Sequence, residues 1–400
     1  MLSKELLNAG AVRKAAHEML GRLQRGEGAW VVDLSRLEMA AQEIVSTTLE
    51  RYPDLNIPYH SRWRHFEAGG IPRREQLAQK MLGLGLGLIE RARAEIDLAV
   101  VSVLLDAGSG PDWKFIDGGQ TYTRSEGLGV ASFRMFEAGA FSSDSKHPFQ
   151  ADAGGLLALT VAQLETGFSV DASNPLVGVP GRVKLLNRLG SQLSLRPDMF
   201  QVARQFRPGG LFDHLSAGRS TIAAGDVLEA LLEGLGGMWL TGNEQDGVAL
   251  GDCWSYQLRS GDHTWVPFHK LSQWLSYSLL EAFEGAGITV LDLDALTGLP
   301  EYRNGGLLMD TGVLRLNNQE LQAMAFEVSD PLIVEWRAAT VALLDLLAPL
   351  VKRKLGFAPA DHLPLAKVLE GGSWAAGRNT AQRLRRGLPP LNIVSDGTVF

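Results

Sequence analysis

Apolar residues recur at i, i+3, i+4 and i+7 over long stretches of this chain, and that pattern constrains its fold more than any other feature. It runs through residues 6–23, 34–52, 74–105, 156–166, 181–193, 225–235, 271–283, 331–355 and 375–386. Each stretch predicts a helix with one buried face. Alternation of period two is confined to residues 30–33, 247–250 and 288–291. The fold class is therefore mostly α with a few short β-strands. Asp330-Pro331 offers an N-cap followed by a proline in the first helical turn, and Lys352-Arg353-Lys354 before Gly356 offers a cationic end and a C′ glycine. Pro175 to Gly181 reads as a loop feeding the helix that follows.

Four hundred residues can bury one large core or two medium ones. No linker, charge block or repeat marks a boundary, so residues 1–400 read as one unit. The alternative is two helical lobes, 1–107 and 125–400, joined through the Gly/Pro-rich region 108–124. The charge balance, 38 Lys and Arg against 45 Asp and Glu, gives −7 and excludes a sequence-wide basic field for nucleic acid or an anionic membrane. Cys253 stands alone, which excludes an internal disulfide and a Cys-rich metal site. The first residues mix charge with leucine and lack the apolar centre of a secretory signal, and no apolar run approaches the ~18 residues of a spanning helix. The expected location is cytoplasmic. The number of chains that assemble is left open.

Familiar catalytic signatures are missing: there is no Walker loop, H-E-x-x-H or G-x-S-x-G. Gly83-Leu-Gly-Leu-Gly has the wrong spacing for a dinucleotide loop and is expected to pack a helix closely on a neighbour. The eight histidines lack ligand spacing, and His60 and His65 have arginines nearby that oppose a cation. Neither a metal nor a cofactor is expected.

What remains is a set of dense polar and aromatic clusters. His60-Ser-Arg-Trp-Arg-His-Phe-Glu holds His60, Arg62, Arg64, His65 and Glu67, a composition suited to an anionic or polyhydroxylated ligand because guanidinium offers a rigid fork of donors. Trp113 precedes Arg124 and Glu126, which flank the start of a run of small residues; a capped helix or a phosphate at its N-terminus both fit. Lys270, Gln273 and Tyr277 share one helical stripe, either as its wet face or as a ligand surface. Glu301, Tyr302 and Arg303 precede Gly305-Gly306, and Glu335 and Arg337 lie within the 331–355 helix.

These segments resemble the uracil-catabolism family of the ribosylurea route of pyrimidine degradation, formerly a domain of unknown function. The resemblance rests on His60-Ser-Arg-Trp-Arg-His-Phe-Glu-Ala-Gly-Gly, Arg124-Ser-Glu-Gly-Leu, His269-Lys-Leu-Ser-Gln-Trp-Leu, Tyr302-Arg-Asn-Gly-Gly-Leu, Val334-Glu-Trp-Arg-Ala and Ser395-Asp-Gly-Thr-Val-Phe, and spans nearly the whole chain. Shorter patches, Pro300-Glu-Tyr-Arg, His269-Lys-Leu-Ser-Gln, Glu335-Trp-Arg-Ala and part of Leu105-Asp-Ala, are similar to the queuosine-salvage N-ribosylhydrolases. That likeness implies a helical glycosylase-like architecture and cleavage of an N-ribosyl bond of a small molecule, ribosylurea or its 5′-phosphate, to release urea. It places the catalytic carboxylate on Glu301, where the related family has aspartate, and the essential lysine on Lys270. Asp106 or Asp310 would hold ribose hydroxyls. Arg62, Arg64 and His65 would hold a phosphate or the urea carbonyl, and Trp113, Gln273, Tyr302, Arg303 and Arg337 would complete the binding set. A metal-independent ureido amidohydrolase and a non-catalytic ligand-binding protein of the same pathway are the alternatives.

Glycine is enriched, 45 in 400 residues against an average near ~7%, and partly paired. Gly69-Gly70, Gly118-Gly119 and Gly305-Gly306 flank the polar clusters and are expected to be turns meeting at one site. Gly154-Gly155, Gly209-Gly210, Gly236-Gly237 and Gly371-Gly372 are expected to be helix caps.

Overall fold

The computed structural model describes residues 3–106, 108–239, 241–358 and 361–394; Ala107 and the terminal Ser395-to-Phe400 motif lie outside them. The periodic stretches form helices at Ala9–Gln24, Leu37–Arg51, Val179–Leu195, Ala224–Leu235, Lys270–Gly285, Pro331–Lys354 and Trp374–Arg385. Two expected helices are each split in two. Residues 74–105 become Arg73–Gly83 and Leu88–Leu104, turned at Gly85, whose φ of 76° an L side chain rarely adopts. Among the described residues no atom approaches the missing side chains of Gly83, Gly85 or Gly87, so this glycine run makes a turn and not the close helix packing expected. Residues 156–166 divide into Ala153–Ala158 and Val161–Gly167, where Thr160 and Gln163 form a reciprocal capping box. Asp330 takes the expected N-cap position before Pro331, but its carboxylate makes no capping bond and accepts instead from the Glu327 N–H at 2.7 Å; Gly356 ends the helix as expected.

Strands form only two-stranded clips among the described residues. Trp30–Val32 pairs antiparallel with Leu314–Leu316, and Thr289–Leu291 pairs parallel with Thr221–Ala223. Hairpins join Lys114–Asp117 to Gln120–Thr123 and Cys253–Gln257 to His263–Pro267. The core therefore lies between helices. One continuous cluster of buried apolar side chains reaches from Ala9 to Leu391. At its centre every residue from Leu332 to Leu344 is buried, as expected of a helix enclosed on all sides. Around it pack Ala9–Gln24, Leu37–Arg51 and the Tyr302–Asp310 helix.

Small residues set two of the approaches that matter below. Gly305 lies inside the Tyr302–Asp310 helix against the Trp336 indole, so Gly305-Gly306 is a packing contact and not the expected turn. At Gly377 a side chain would strike the Arg303 carbonyl, which ties Trp374–Arg385 to the same helix. Gly69 and the Gly118-Gly119 turn do converge, through Gln120 and Tyr122, but away from the cavity described next. No helix among the described residues is long and apolar enough to cross a membrane.

Candidate functional site

Three helix starts face one cavity of about 330 Å³. Arg124 and Ser125 open the Arg124–Glu137 helix, Lys270 opens Lys270–Gly285, and Glu301 precedes Tyr302–Asp310. Each start turns the positive end of a helix dipole toward this space. His60, His65, Asp106, Trp274 and Trp374 complete most of the wall.

Glu301 has extended backbone, φ −119° and ψ 161°, and caps its own helix: Oε1 accepts from the Asn304 N–H at 2.6 Å and Oε2 from the Arg303 N–H at 2.7 Å. The carboxylate is thereby fixed in orientation. Burial raises its pKa above the ordinary value, against the pull of those two N–H groups, Lys270 and His60. Burial, followed by Arg337, lowers the Lys270 ammonium. Asp106 is also raised by burial, in spite of the Arg62 guanidinium 2.8 Å away. Two raised carboxyls and a lowered lysine around one cavity make it the candidate functional site.

His65 is held well below the ordinary histidine value, by burial first and Arg62 second. It is neutral at neutral pH. Its Nδ1 lies 3.2 Å from Arg62 Nη1, which can only donate, so the imidazole proton belongs on Nε2. The Trp274 ring stands edge-to-face with His65, centroids 5.6 Å apart, and its indole N–H is buried and finds no acceptor among the described residues. His65 therefore gives this part of the wall a donor without net charge.

Lys270 and Glu301 are positioned from behind by one buried ion pair. Arg337 donates to both oxygens of Asp252 at 2.8 Å, and its Nε reaches the Pro300 carbonyl, one residue before Glu301. Asp252 Oδ2 accepts the Lys270 N–H at 3.0 Å. Burial alone would raise Asp252, but Arg337 outweighs it and the carboxyl is lowered to about 2. Between them His269 takes a left-handed conformation, φ 49° and ψ 38°, held by a ring contact to the Leu6 carbonyl at 2.9 Å.

Of the residues singled out in the sequence, His60, His65, Asp106, Arg124, Lys270, Glu301 and Tyr302 line the cavity. The others do not, each for a visible reason. Arg62 is fully buried behind the wall, bound to Asp106, Ser102 and the Ser125 carbonyl. Arg64 turns to Glu281 and Glu67, and Glu126 pairs with Arg378. Trp113 is core, its N–H bound to the Phe168 carbonyl. Gln273 and Tyr277 are buried and fasten the Thr297 loop, which excludes the wet-face reading of their stripe. Arg303 points to the Gly387 carbonyl. Asp310 ends the helix that Glu301 begins and pairs with Arg385. Arg337 supports the site without touching the cavity. Trp274, Trp374, Asp252 and Glu370 were not anticipated from the sequence. Among the described residues no group of three or more His, Cys, Asp or Glu is arranged to hold a metal ion.

The profile of a family described as a protein of unknown function, DUF1688, matches residues 5–400. Protein urg3 of Schizosaccharomyces pombe is 42% identical over 403 residues, covering 99% of this chain and 98% of that protein. Uracil catabolism protein 4 of Lachancea kluyveri is 37% identical over 431 residues, covering 98% and 97%. The match runs through every segment that builds the cavity, and the chain belongs to the DUF1688 family.

Proposed function

We propose that the chain is an N-ribosyl hydrolase of uracil catabolism that cleaves ribosylurea, or its 5′-phosphate, to urea and the sugar. One observation carries the reading: a helix-capping carboxylate, Glu301, and a lysine, Lys270, face a shared small cavity with further perturbed groups around them. Breaking a C1′–N bond builds positive charge on the sugar, and a fixed carboxylate stabilises that charge and takes a proton from the attacking water. A carboxyl whose pKa is raised by burial is suited to the second task. Asp106 faces the same space and would hold ribose hydroxyls. The neutral His65 Nε2–H suits a neutral acceptor, the ureido carbonyl, better than a phosphate. The Arg124–Glu137 helix start, with Arg124 exposed at its head, is the place for a phosphate where the substrate carries one. The name of the Lachancea kluyveri relative supports the pathway.

Purified protein incubated with ribosylurea, and separately with its 5′-phosphate, is expected to release urea and free ribose or ribose phosphate. Release of ammonia would identify an amidohydrolase instead. Binding of either compound with no product would identify a non-catalytic binding protein.

A further inference from the structure

His60 enters a hydrogen-bonded chain that the capping geometry of Glu301 does not explain. Its Nδ1 lies 2.8 Å from Glu370 Oε2. Glu370 Oε1 is held in turn by Arg51 Nη2 at 2.8 Å and the Tyr52 hydroxyl at 2.9 Å. Burial would raise this carboxyl, but His60, Arg51 and Tyr52 lower it to about 2, so it is ionised throughout the neutral range. A carboxylate can only accept, so Nδ1 carries the proton and Nε2 is the exchangeable position. The ring lies between two tryptophans that line the cavity, with centroids 6.5 Å from Trp274 and 6.1 Å from Trp374. Nε2 has no partner among the described residues, and His60 is part of the cavity wall.

Glu370 belongs to a single wide helical turn, Leu369–Ser373, inserted before Trp374–Arg385. Such turns concentrate at functional sites. Here the turn is made possible by Gly371 and Gly372, which lie against Thr48 and the Ile44 carbonyl of the Leu37–Arg51 helix. That approach brings Glu370 within reach of Arg51 and Tyr52. Glu370, Arg51, Tyr52 and the two glycines thus orient one imidazole toward a cavity.

We propose that His60 is the proton donor to the departing nitrogen group, and that Glu370 is its positioning residue. The inference rests on the N-ribosyl reading above. As the C1′–N bond breaks, its electron pair passes to the nitrogen, which takes the Nε2 proton of the His60 imidazolium. Water adds to C1′ and gives its proton to Glu301, so the products are neutral urea and the sugar with a C1′ hydroxyl. Transfer of the proton from Glu301 back to His60 through water restores the starting state. The charged or titratable groups around the imidazole are Glu370 with Arg51 and Tyr52 behind it, His65 on its own segment, Lys270 and Glu301 at two helix starts, and Arg378 over the Trp374 ring.

The test compares ribosylurea, whose leaving group must be protonated, with a nitrophenyl riboside, whose leaving group needs no proton. His60→Gln is expected to lose about 10²–10⁴-fold more kcat on ribosylurea than on the nitrophenyl riboside. Glu370→Gln is expected to show the same selectivity, with a smaller loss and a shifted alkaline limb in the pH profile of kcat. In the wild-type enzyme that limb should appear with ribosylurea and be missing with the nitrophenyl riboside, a result that needs no variant to fold. Equal losses on both substrates, or an alkaline limb common to both, would overturn the role of His60 while leaving N-ribosyl cleavage standing. A wild-type protein inactive on both substrates would overturn the two readings together.

Discussion

Replacing Arg337 by methionine tests the frame behind the site. The side chain is buried, and the change removes two 2.8 Å bonds to Asp252, the contact with the Pro300 carbonyl and a cation–π contact with Phe268 at 4.1 Å. Asp252 keeps the Trp254 indole N–H and the Lys270 N–H on its side-chain oxygens. Breaking a buried ion pair from one side costs about 3–5 kcal/mol. The lowered carboxyl gives a second route: a fall from 3.8 to about 2 corresponds to roughly 2–3 kcal/mol at neutral pH. Because burial opposes that fall, the second figure is the smaller one, as it should be. The two routes agree in scale, and Arg337→Met is expected to lose about 3–5 kcal/mol in urea unfolding followed by tryptophan fluorescence. The pH dependence should also invert. With its pKa lowered, wild-type Asp252 contributes stability above about pH 4 that is lost as pH falls toward 2. With Arg337 gone, burial raises the carboxyl, and the contribution is lost as pH rises above about 4. Asp252→Asn added to Arg337→Met removes the stranded charge, so the double variant should be more stable than Arg337→Met. A single variant losing under about 1 kcal/mol, or a double variant weaker than the single, would refute the frame.

Glu301→Gln should lower turnover by about three decades, since a unit charge ~4 Å from the developing cation contributes about 4 kcal/mol at an effective dielectric near ~20. Fold and substrate binding should persist, with about 1 kcal/mol lost from the helix cap; near-normal turnover by urea release would remove Glu301 from the mechanism. His65, lowered well below its ordinary value, costs the folded state stability as pH falls below about 6.5. Thermal unfolding of His65→Gln between pH 7 and 5 should therefore show a shallower decline than wild type. Gly372→Ala puts a side chain into the Ile44 carbonyl and should cost about 1–3 kcal/mol, with a disproportionate loss of turnover as Glu370 is displaced. Activity per folded molecule, scored by circular dichroism and urea release together, separates the two effects.

Helix positions were legible because apolar periodicity reports which face is buried, whatever that face meets. The breaks at Gly85 and Thr160 were not, because the apolar pattern continues across them, and a short clip such as Thr221–Ala223 against Thr289–Leu291 has its partner 68 residues away. The same division runs through the site. Glu301, Lys270, His60 and His65 stand out as polar residues in dense motifs at or near helix starts, and all four line the cavity. Which neighbours join them depends on helical phase: Lys270 and Trp274 face the cavity, while Gln273 between them turns inward to Thr297. The supporting charges are harder still. Arg337 lies 85 residues from Asp252, and Glu370 lies 310 residues from His60. No local pattern couples such pairs, so Arg337 read as a ligand and Glu370 as nothing. What the sequence did carry for Glu370 was the Gly371-Gly372 pair beside it, expected to cap a helix. A glycine pair inside a helical stretch permits a backbone approach that no side chain allows, and here that approach brings an arginine and a tyrosine to a carboxylate. In this chain a dense polar motif marks the face of the site, and the small residues of a distant helix mark what holds it.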